Sequence, residues 1–410
     1  MKLMLVSSFF GTERPSGATA AVHALTDGLL QRGVQVVVLA TQAQRETTQQ
    51  EGRGVTVYRF RPLNWFWIGE KHKQPTWKRA VWQLFDVWNA HTWVVARQIL
   101  ERERPDVVHV HKLRGLSPAV WKAAADLGVP VVQTCHDYEL WSPVGTLSGR
   151  VGSWAQQGVW FLRPYAWLRA CMSCAVAAAV APTRFVLEQH LRRGFFPRAV
   201  ARAIPNSHGL TREEVQRRRQ DPRPAGPPEE EVRLLFLGRL QAIKGVELLC
   251  EAFVRSAAVW PGLHLDVAGW GPLEPSLRER YGGHPRITFH GPVLGQGRDR
   301  LIAQSDALVV PSIWPEVFGM VCAEAYTLGK PVIATCAGGL PELVEEGKTG
   351  WLVPPGDVDA LADALGRAAT EPSRLRRMSG ACWDAAERLA LEPVVSEHLS
   401  LYEELLGRGT

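Results

Sequence analysis

A chain of 410 residues is too long for one ordinary core, and at roughly 150 residues per domain it is expected to form two. With 46% hydrophobic and 21% charged residues it is neither disordered nor fibrous, and a net charge of +6 is too modest to imply a nucleic-acid partner. No apolar run approaches the ~18 residues that span a bilayer.

Leu3 to Ser7 reads as a buried strand that begins without a secretory leader, which points to a cytoplasmic protein. A loop over Phe9 to Gly17 follows, and then Val22, Leu25 and Leu29 recur at i, i+3 and i+7 on a helix closed by Gly33. Further strands are expected at Val34 to Ala40, Val107 to His111, Val129 to Thr134, Val176 to Ala181 and Ala201 to Pro205. This alternation predicts one α/β domain over 1–215. Residues 216–231, QRRRQDPRPAGPPEEE, are dense in proline and charge and read as an interdomain linker. A second series of strands, at Leu234 to Leu237, Leu263 to Ala268, Ile287 to Phe289, Ala307 to Val310, Val332 to Thr335 and Trp351 to Val353, predicts another α/β domain over 232–385. From Val358 onward the chain reads as helical, and 386–410 is expected to cross back to the first domain. The fold class is therefore α/β, with two Rossmann-like doubly wound domains facing across a cleft and ligands bound by the loops that follow strands. The seven cysteines form no repeated pairs and read as reduced thiols; Cys171-Met-Ser-Cys174 lacks the second half of a zinc site and reads as structural.

Three of those loops carry chemistry. After the first strand of the second domain comes Gly238-Arg239-Leu240-Gln-Ala-Ile-Lys244-Gly245, where a glycine turn, two cations and a helix start suit a diphosphate. Arg239 would fork onto phosphate oxygens and Lys244 would supply a point charge. The second loop is Pro311-Ser312-Ile-Trp-Pro315-Glu316-Val-Phe318-Gly319-Met-Val-Cys-Ala-Glu324. Glu316 is expected in the loop and Glu324 on the following helix, about 12 Å on if the eight-residue separation were helical. Glu316 would then read sugar hydroxyls and Glu324 a ribose diol, since each carboxylate oxygen accepts hydrogen bonds from hydroxyls. The third, Cys336-Ala-Gly338-Gly339-Leu340-Pro341-Glu342, offers backbone N–H groups for close approach to a ligand. Gly269-Trp-Gly271-Pro272 has Glu274 where a dinucleotide fingerprint needs glycine, which argues against a dehydrogenase.

Taken in order, these segments resemble the large family four of retaining glycosyltransferases with the GT-B fold. The resemblance covers nearly the whole chain and is strongest from Leu234 to Pro355. It implies a nucleotide-sugar donor, no cofactor and no required metal. It also implies that Gly238, Arg239, Lys244, Gly269, Glu316, Phe318, Gly319 and Glu324 surround that donor. In the first domain, Phe10 to Ala18 resembles the family's glycine loop beside the donor phosphate, with Gly17-Ala18 where two glycines are common. Val131 to Tyr138 resembles its His-Asp strand end, which makes His136 a contact of the transferred sugar. Ile204 to Gly209 departs from the family's turn and reads as a domain edge.

Retention ordinarily brings to mind a nucleophilic carboxylate paired with an acid–base carboxyl group, and the sequence presents no such pair. The resemblance implies front-face attack instead, with Arg239, Lys244 and His136 beside the reacting centre. A nucleotide-sugar epimerase and a non-catalytic nucleotide-sugar-binding protein are the competing readings.

Eleven of sixteen tryptophans precede residue 210; Trp65, Trp67, Trp77, Trp82, Trp88 and Trp93 are interleaved with Lys71, Lys73, Lys78, Arg79 and Arg97. Trp154, Trp160, Arg163, Trp167 and Arg169 form a second such stretch. Tryptophan with basic residues favours a membrane interface, so the expected partner is a glycan or lipid-linked acceptor met by peripheral contact at the inner face of a membrane.

Overall fold

Buried runs of valine, leucine and alanine build two sheets in the computed structural model, which describes residues 1–11, 17–52, 54–147, 149–158, 160–221 and 231–407. The chain divides into two units, Met1–Pro205 with Leu391–Thr410, and Asn206–Ala390. The first unit holds β1 (Lys2–Ser7), β2 (Gln35–Thr41), β3 (Thr48–Gly52), β4 (Val55–Phe60), β5 (Val107–Lys112), β6 (Val131–Thr134), β7 (Ala178–Ala181) and β8 (Val200–Ala203). They lie in the order β3-β4-β2-β1-β5-β6-β7-β8. Every pairing is parallel except that of β3 with β4. The β3–β4 hairpin is absent from the expectations above. β3 is TQQEG, exposed at every position, so it has no apolar face to reveal it.

The second unit holds β9 (Val232–Leu237), β10 (Leu263–Ala268), β11 (Ile287–Gly291), β12 (Ala307–Val310), β13 (Val332–Thr335) and β14 (Gly350–Val353). All its pairings are parallel. Counted from β9, the strands run 3-2-1-4-5-6, the doubly wound order of dinucleotide-binding sheets. The order reverses between β9 and β12. Beyond the carboxyl ends of those two strands lies the crevice where such sheets bind ligands.

Two boundaries differ from expectation. The chain passes into the second unit after Pro205, not near 215. Residues 216–220, assigned above to the linker, end the helix Arg212–Gln220, which Thr211 and Glu214 start with a reciprocal capping box. The rest of that expected linker, 222–230, lies outside the described residues. At the other end, the helix Leu391–Leu405 belongs to the first unit and packs on the helix Gly17–Gln31. There Val394, Val395, Leu401 and Tyr402 join Leu3, Leu25 and Leu29 in one buried cluster. Among the described residues no helix is long and apolar enough to cross a membrane.

Candidate active site

Four loops at the carboxyl ends of the second sheet are laced together by backbone hydrogen bonds. Leu240 N–H donates to Trp270 O (2.9 Å) and Leu273 N–H to Leu240 O (3.1 Å), joining the loops after β9 and β10. Ile313 N–H donates to Ile243 O (3.0 Å) and Gly339 N–H to Glu316 O (2.7 Å), which brings in the loops after β12 and β13. Two glycines make this closeness possible. Gly245 and Gly338 have φ of +69° and +67°, and an added Cβ would lie 1.9 Å from Pro311 O and 2.3 Å from Glu316 O respectively. Gly238 and Gly269 sit in the same lacing, the N–H of Gly238 donating to Ala268 O and that of Gly269 to Gly291 O.

The lacing brings Lys244 and Glu316 together across the switch point. Lys244 ends the short 3-10 turn Ala242–Lys244, and its Nζ lies 2.5 Å from Glu316 Oε1. Ser312 Oγ–H donates to the same oxygen at 2.6 Å. The Glu316 side chain is 8% exposed and the Lys244 side chain 28%, so the carboxylate is held beneath and the ammonium reaches toward solvent. Arg239 is exposed, with its guanidinium 5.1 Å from the Trp270 ring, while Lys244 lies 5.4 Å from that of Trp314. Two cations, each beside an indole face, thus flank one crevice and suit a dianionic ligand. Ser312 lies inside the motif quoted from the sequence, yet only the fold reveals its bond to Glu316.

Glu324 occupies the helix Met320–Tyr326, and Glu316 to Gly319 is loop, so the eight residues between the two carboxylates are only partly helical. The expected 12 Å helical separation is therefore corrected. Glu324 Oε1 accepts from Arg298 Nη1 at 2.8 Å, and Arg298 also bonds Asp299, which in turn holds Arg218 at 2.8 Å. Burial raises the Glu324 carboxyl above its usual range, against the pull of Arg298. Nothing local in the sequence signals Arg298, which lies on the helix Gln296–Gln304 before β12. Phe318 is buried, so what it can offer a ligand is its backbone; Gly319, at φ +93°, opens the Glu324 helix.

The two remaining predicted residues belong to the first unit. Gly17 is the first residue of its helix and exposed, and 12–16 of the expected phosphate loop lie outside the described residues. His136 follows β6 and ends a string of imidazoles. His111 Nδ1 is 3.0 Å from His136 Nε2, the rings of His109 and His111 lie 4.0 Å apart, and His109 bonds Tyr402 Oη and Thr134 Oγ1, both at 2.6 Å. Burial, and then the nearby Lys112, push the His136 imidazole down to about 3, so it acts as a neutral hydrogen-bonding group. Burial likewise holds His109 and His111 well below their ordinary value. Beside them Glu139 gives one oxygen to Leu113 N–H at 2.7 Å, and burial with Asp137 nearby pushes its carboxyl up to about 7. Among the described residues no group of three His, Cys, Asp or Glu could hold a metal ion.

Known proteins share this fold. The structure of Anabaena HepE in complex with UDP superposes with a TM-score of 0.68 at 17% identity, covering 98% of this chain and 100% of that one. Two parallel-sheet α/β domains of this kind are those of GT-B glycosyltransferases, and the chain is a glycosyltransferase of that type. Residues 16–207 match the family model for a glycosyl transferase 4-like domain, and 231–371 that for glycosyl transferases group 1. The chain thus joins those two glycosyltransferase domains. The phosphatidyl-myo-inositol mannosyltransferase of Mycobacterium leprae is 29% identical over 74% of this chain and 75% of its own length. An uncharacterised 42.6 kDa protein in the cps region of Klebsiella pneumoniae is 25% identical over 84% of this chain and 87% of its own.

Proposed function

We propose that the protein transfers a hexosyl group, with retention, from a nucleoside diphosphate sugar to a hydroxyl of a lipid-linked or surface-polysaccharide glycan precursor. The observation that carries the donor half is the Lys244–Glu316–Ser312 cluster at the reversal of the second sheet, with Arg239 on the same loop as Lys244. On donor binding the Lys244 ammonium turns from Glu316 alone to a position shared with the diphosphate, and Glu316 is freed to accept from sugar hydroxyls. Arg239 and Lys244 then stabilise charge as the diphosphate leaves. Glu324, oriented by Arg298, takes the ribose diol. His136, kept neutral, offers a hydrogen bond to a substrate hydroxyl. The proposal involves no bound metal, and undiminished transfer in EDTA is the expected result.

The acceptor half rests on which tryptophans the fold leaves outside. Trp82, Trp121 and Trp141 are core residues, whereas Trp160 and Trp167 are 76% and 64% exposed. The helix Thr76–Val87 buries only Trp82 and Asp86 and leaves Trp77, Leu84 and Phe85 exposed. Lys78 Nζ lies 5.7 Å and 5.6 Å from the exposed Trp65 and Trp77 rings. Arg169, counted above among the basic residues of this surface, is instead buried in an ion pair with Asp86 at 3.0 Å. That pair pins the helix Arg163–Met172 to Thr76–Val87, so the two apolar-basic stretches form neighbouring helices. The relative that mannosylates phosphatidyl-myo-inositol is consistent with a lipid acceptor. Incubation with a panel of nucleotide sugars and lipid-linked acceptors, read by mass spectrometry, tests the whole: a glycosylated acceptor supports it. A donor converted to its epimer contradicts it.

A further inference from the structure

The helix Arg163–Met172 also walls a cavity of about 650 Å³ in the first unit. Leu162, Trp141 and Trp167 give it an apolar lining, and Trp167 and the free thiols of Cys171 and Cys174 are exposed, so it opens to the surface. Among the described residues two cations line it and no carboxylate does. Arg163 gives its Nε–H to Gly158 O at 3.0 Å, which leaves its Nη groups for a ligand. Arg193 lies with its guanidinium 3.8 Å from the centre of the Trp141 ring and bonds Gln189 through Nη1. The size is that of a small-molecule pocket, and an apolar hollow rimmed by guanidinium groups suits a hydrocarbon tail ending in an anion. Two links within the first unit tie the cavity to residues of the proposal. Its helix is clasped by Arg169 to the buried Asp86 of Thr76–Val87, the helix that carries exposed Trp77, Leu84 and Phe85, and Trp141 sits on the same loop as His136.

We infer that this cavity is a binding site for the hydrocarbon chain of a lipid phosphate, with the chain against Trp141, Leu162 and Trp167 and the phosphate on Arg163 and Arg193. The inference rests on the lipid-acceptor reading above and names the pocket that would hold the acceptor's tail. The chain enters from the lipid layer beside Trp167, and the phosphate stays at the rim, where guanidinium groups bind it without full desolvation.

The two thiols supply the test. The reduced full-length protein is treated with N-ethylmaleimide and modification is followed peptide by peptide, with exposed Cys336 of the second unit as an internal reference. Farnesyl phosphate, lysophosphatidate, farnesol and inorganic phosphate are the probes, the first two separating prenyl from acyl chains. At a concentration about ten times that giving half-protection, one of the two lipid phosphates should slow modification of Cys171 and Cys174 about tenfold, since the free fraction of the site falls in that proportion. Cys336 should react at an unchanged rate, farnesol should protect less, and phosphate alone not at all. In Arg163→Gln, an exposed substitution that leaves the core intact, the lipid phosphate should protect no better than farnesol. Unchanged rates with both lipid phosphates, or equal slowing at Cys336, overturn the inference. Flotation with anionic liposomes separates the two ideas: flotation without thiol protection contradicts the pocket alone, and protection without flotation contradicts the membrane reading alone.

Discussion

The two units of this chain solve opposite problems with the same layered architecture. The second places its cations and carboxylates in loops beyond the strands, where Arg239 is exposed and Lys244 and Glu316 meet at the edge of the crevice. The first buries its polar groups instead: His109, His111, His190, His398, Arg169 and Asp86 are all inside. Loop chemistry is set by short local motifs, whereas buried polar chemistry is set by partners far apart in sequence, such as His109 with Tyr402 or Asp86 with Arg169. The second unit is therefore the more readable and the first the more fragile.

Acid should break this comparison most strongly. Burial holds His136 at about 3 and His190 and His398 at about 4, and keeps His109 and His111 well below 6.5. A histidine with a depressed folded value takes up its proton more readily when unfolded, so its contribution to stability is complete above 6.5 and is lost as pH falls toward the folded value. At about pH 5 His136, His190 and His398 each cost about 2 kcal/mol. Glu139, raised to about 7, and Glu397, also raised by burial, work in the opposite direction, against the five histidines. In the second unit burial, and then the nearby Arg286, lowers His284. Urea unfolding at successive pH values should show the first unit losing several kcal/mol below pH 6.5 while the second changes little; parallel losses would remove the contrast.

Asp86→Ala should come next. It leaves Arg169 buried without its carboxylate and removes the acceptor of Gly115 N–H, at an expected cost of about 3–5 kcal/mol, confined to the first unit's unfolding transition. A loss below about 1 kcal/mol would mean that water already reaches the pair. Arg239→Ala should leave stability nearly unchanged, whereas Lys244→Ala should lower it by less than Asp86→Ala does, since Glu316 keeps the Ser312 hydroxyl; either should cut transfer about 100-fold, the loss typical of one charge-stabilising contact in a transition state. Full activity in both variants would remove the diphosphate assignment.

The sheets were largely legible because their strands are buried on both faces, and runs such as Leu263 to Ala268 leave little ambiguity. β3 was not, for its five exposed residues carry no pattern. Within the site, the motif spacing located Lys244 and Glu316, but their 2.5 Å contact depends on Gly245 and Gly338 letting three loops touch. That contact is a property of the register of β9, β12 and β13. Arg298 escaped for a related reason: it meets Glu324 only because the fold brings side chains of two helices separated by β12 within reach of each other. The tryptophans showed their number but not their direction, and Trp82 and Trp141 went inward while Trp160 and Trp167 went out.

The central claim is that the crevice between β9 and β12 binds a nucleoside diphosphate through Arg239 and Lys244, with Glu316 reserved for the sugar. Calorimetric titration with UDP of the unaltered protein and of Lys244→Ala, Arg239→Ala and Glu316→Ala tests it directly. The account predicts affinity lowered at least about tenfold in the two cation variants, the loss expected for one charge-assisted contact, and close to unaltered in Glu316→Ala. Undiminished UDP binding in the cation variants together with its loss in Glu316→Ala would contradict it.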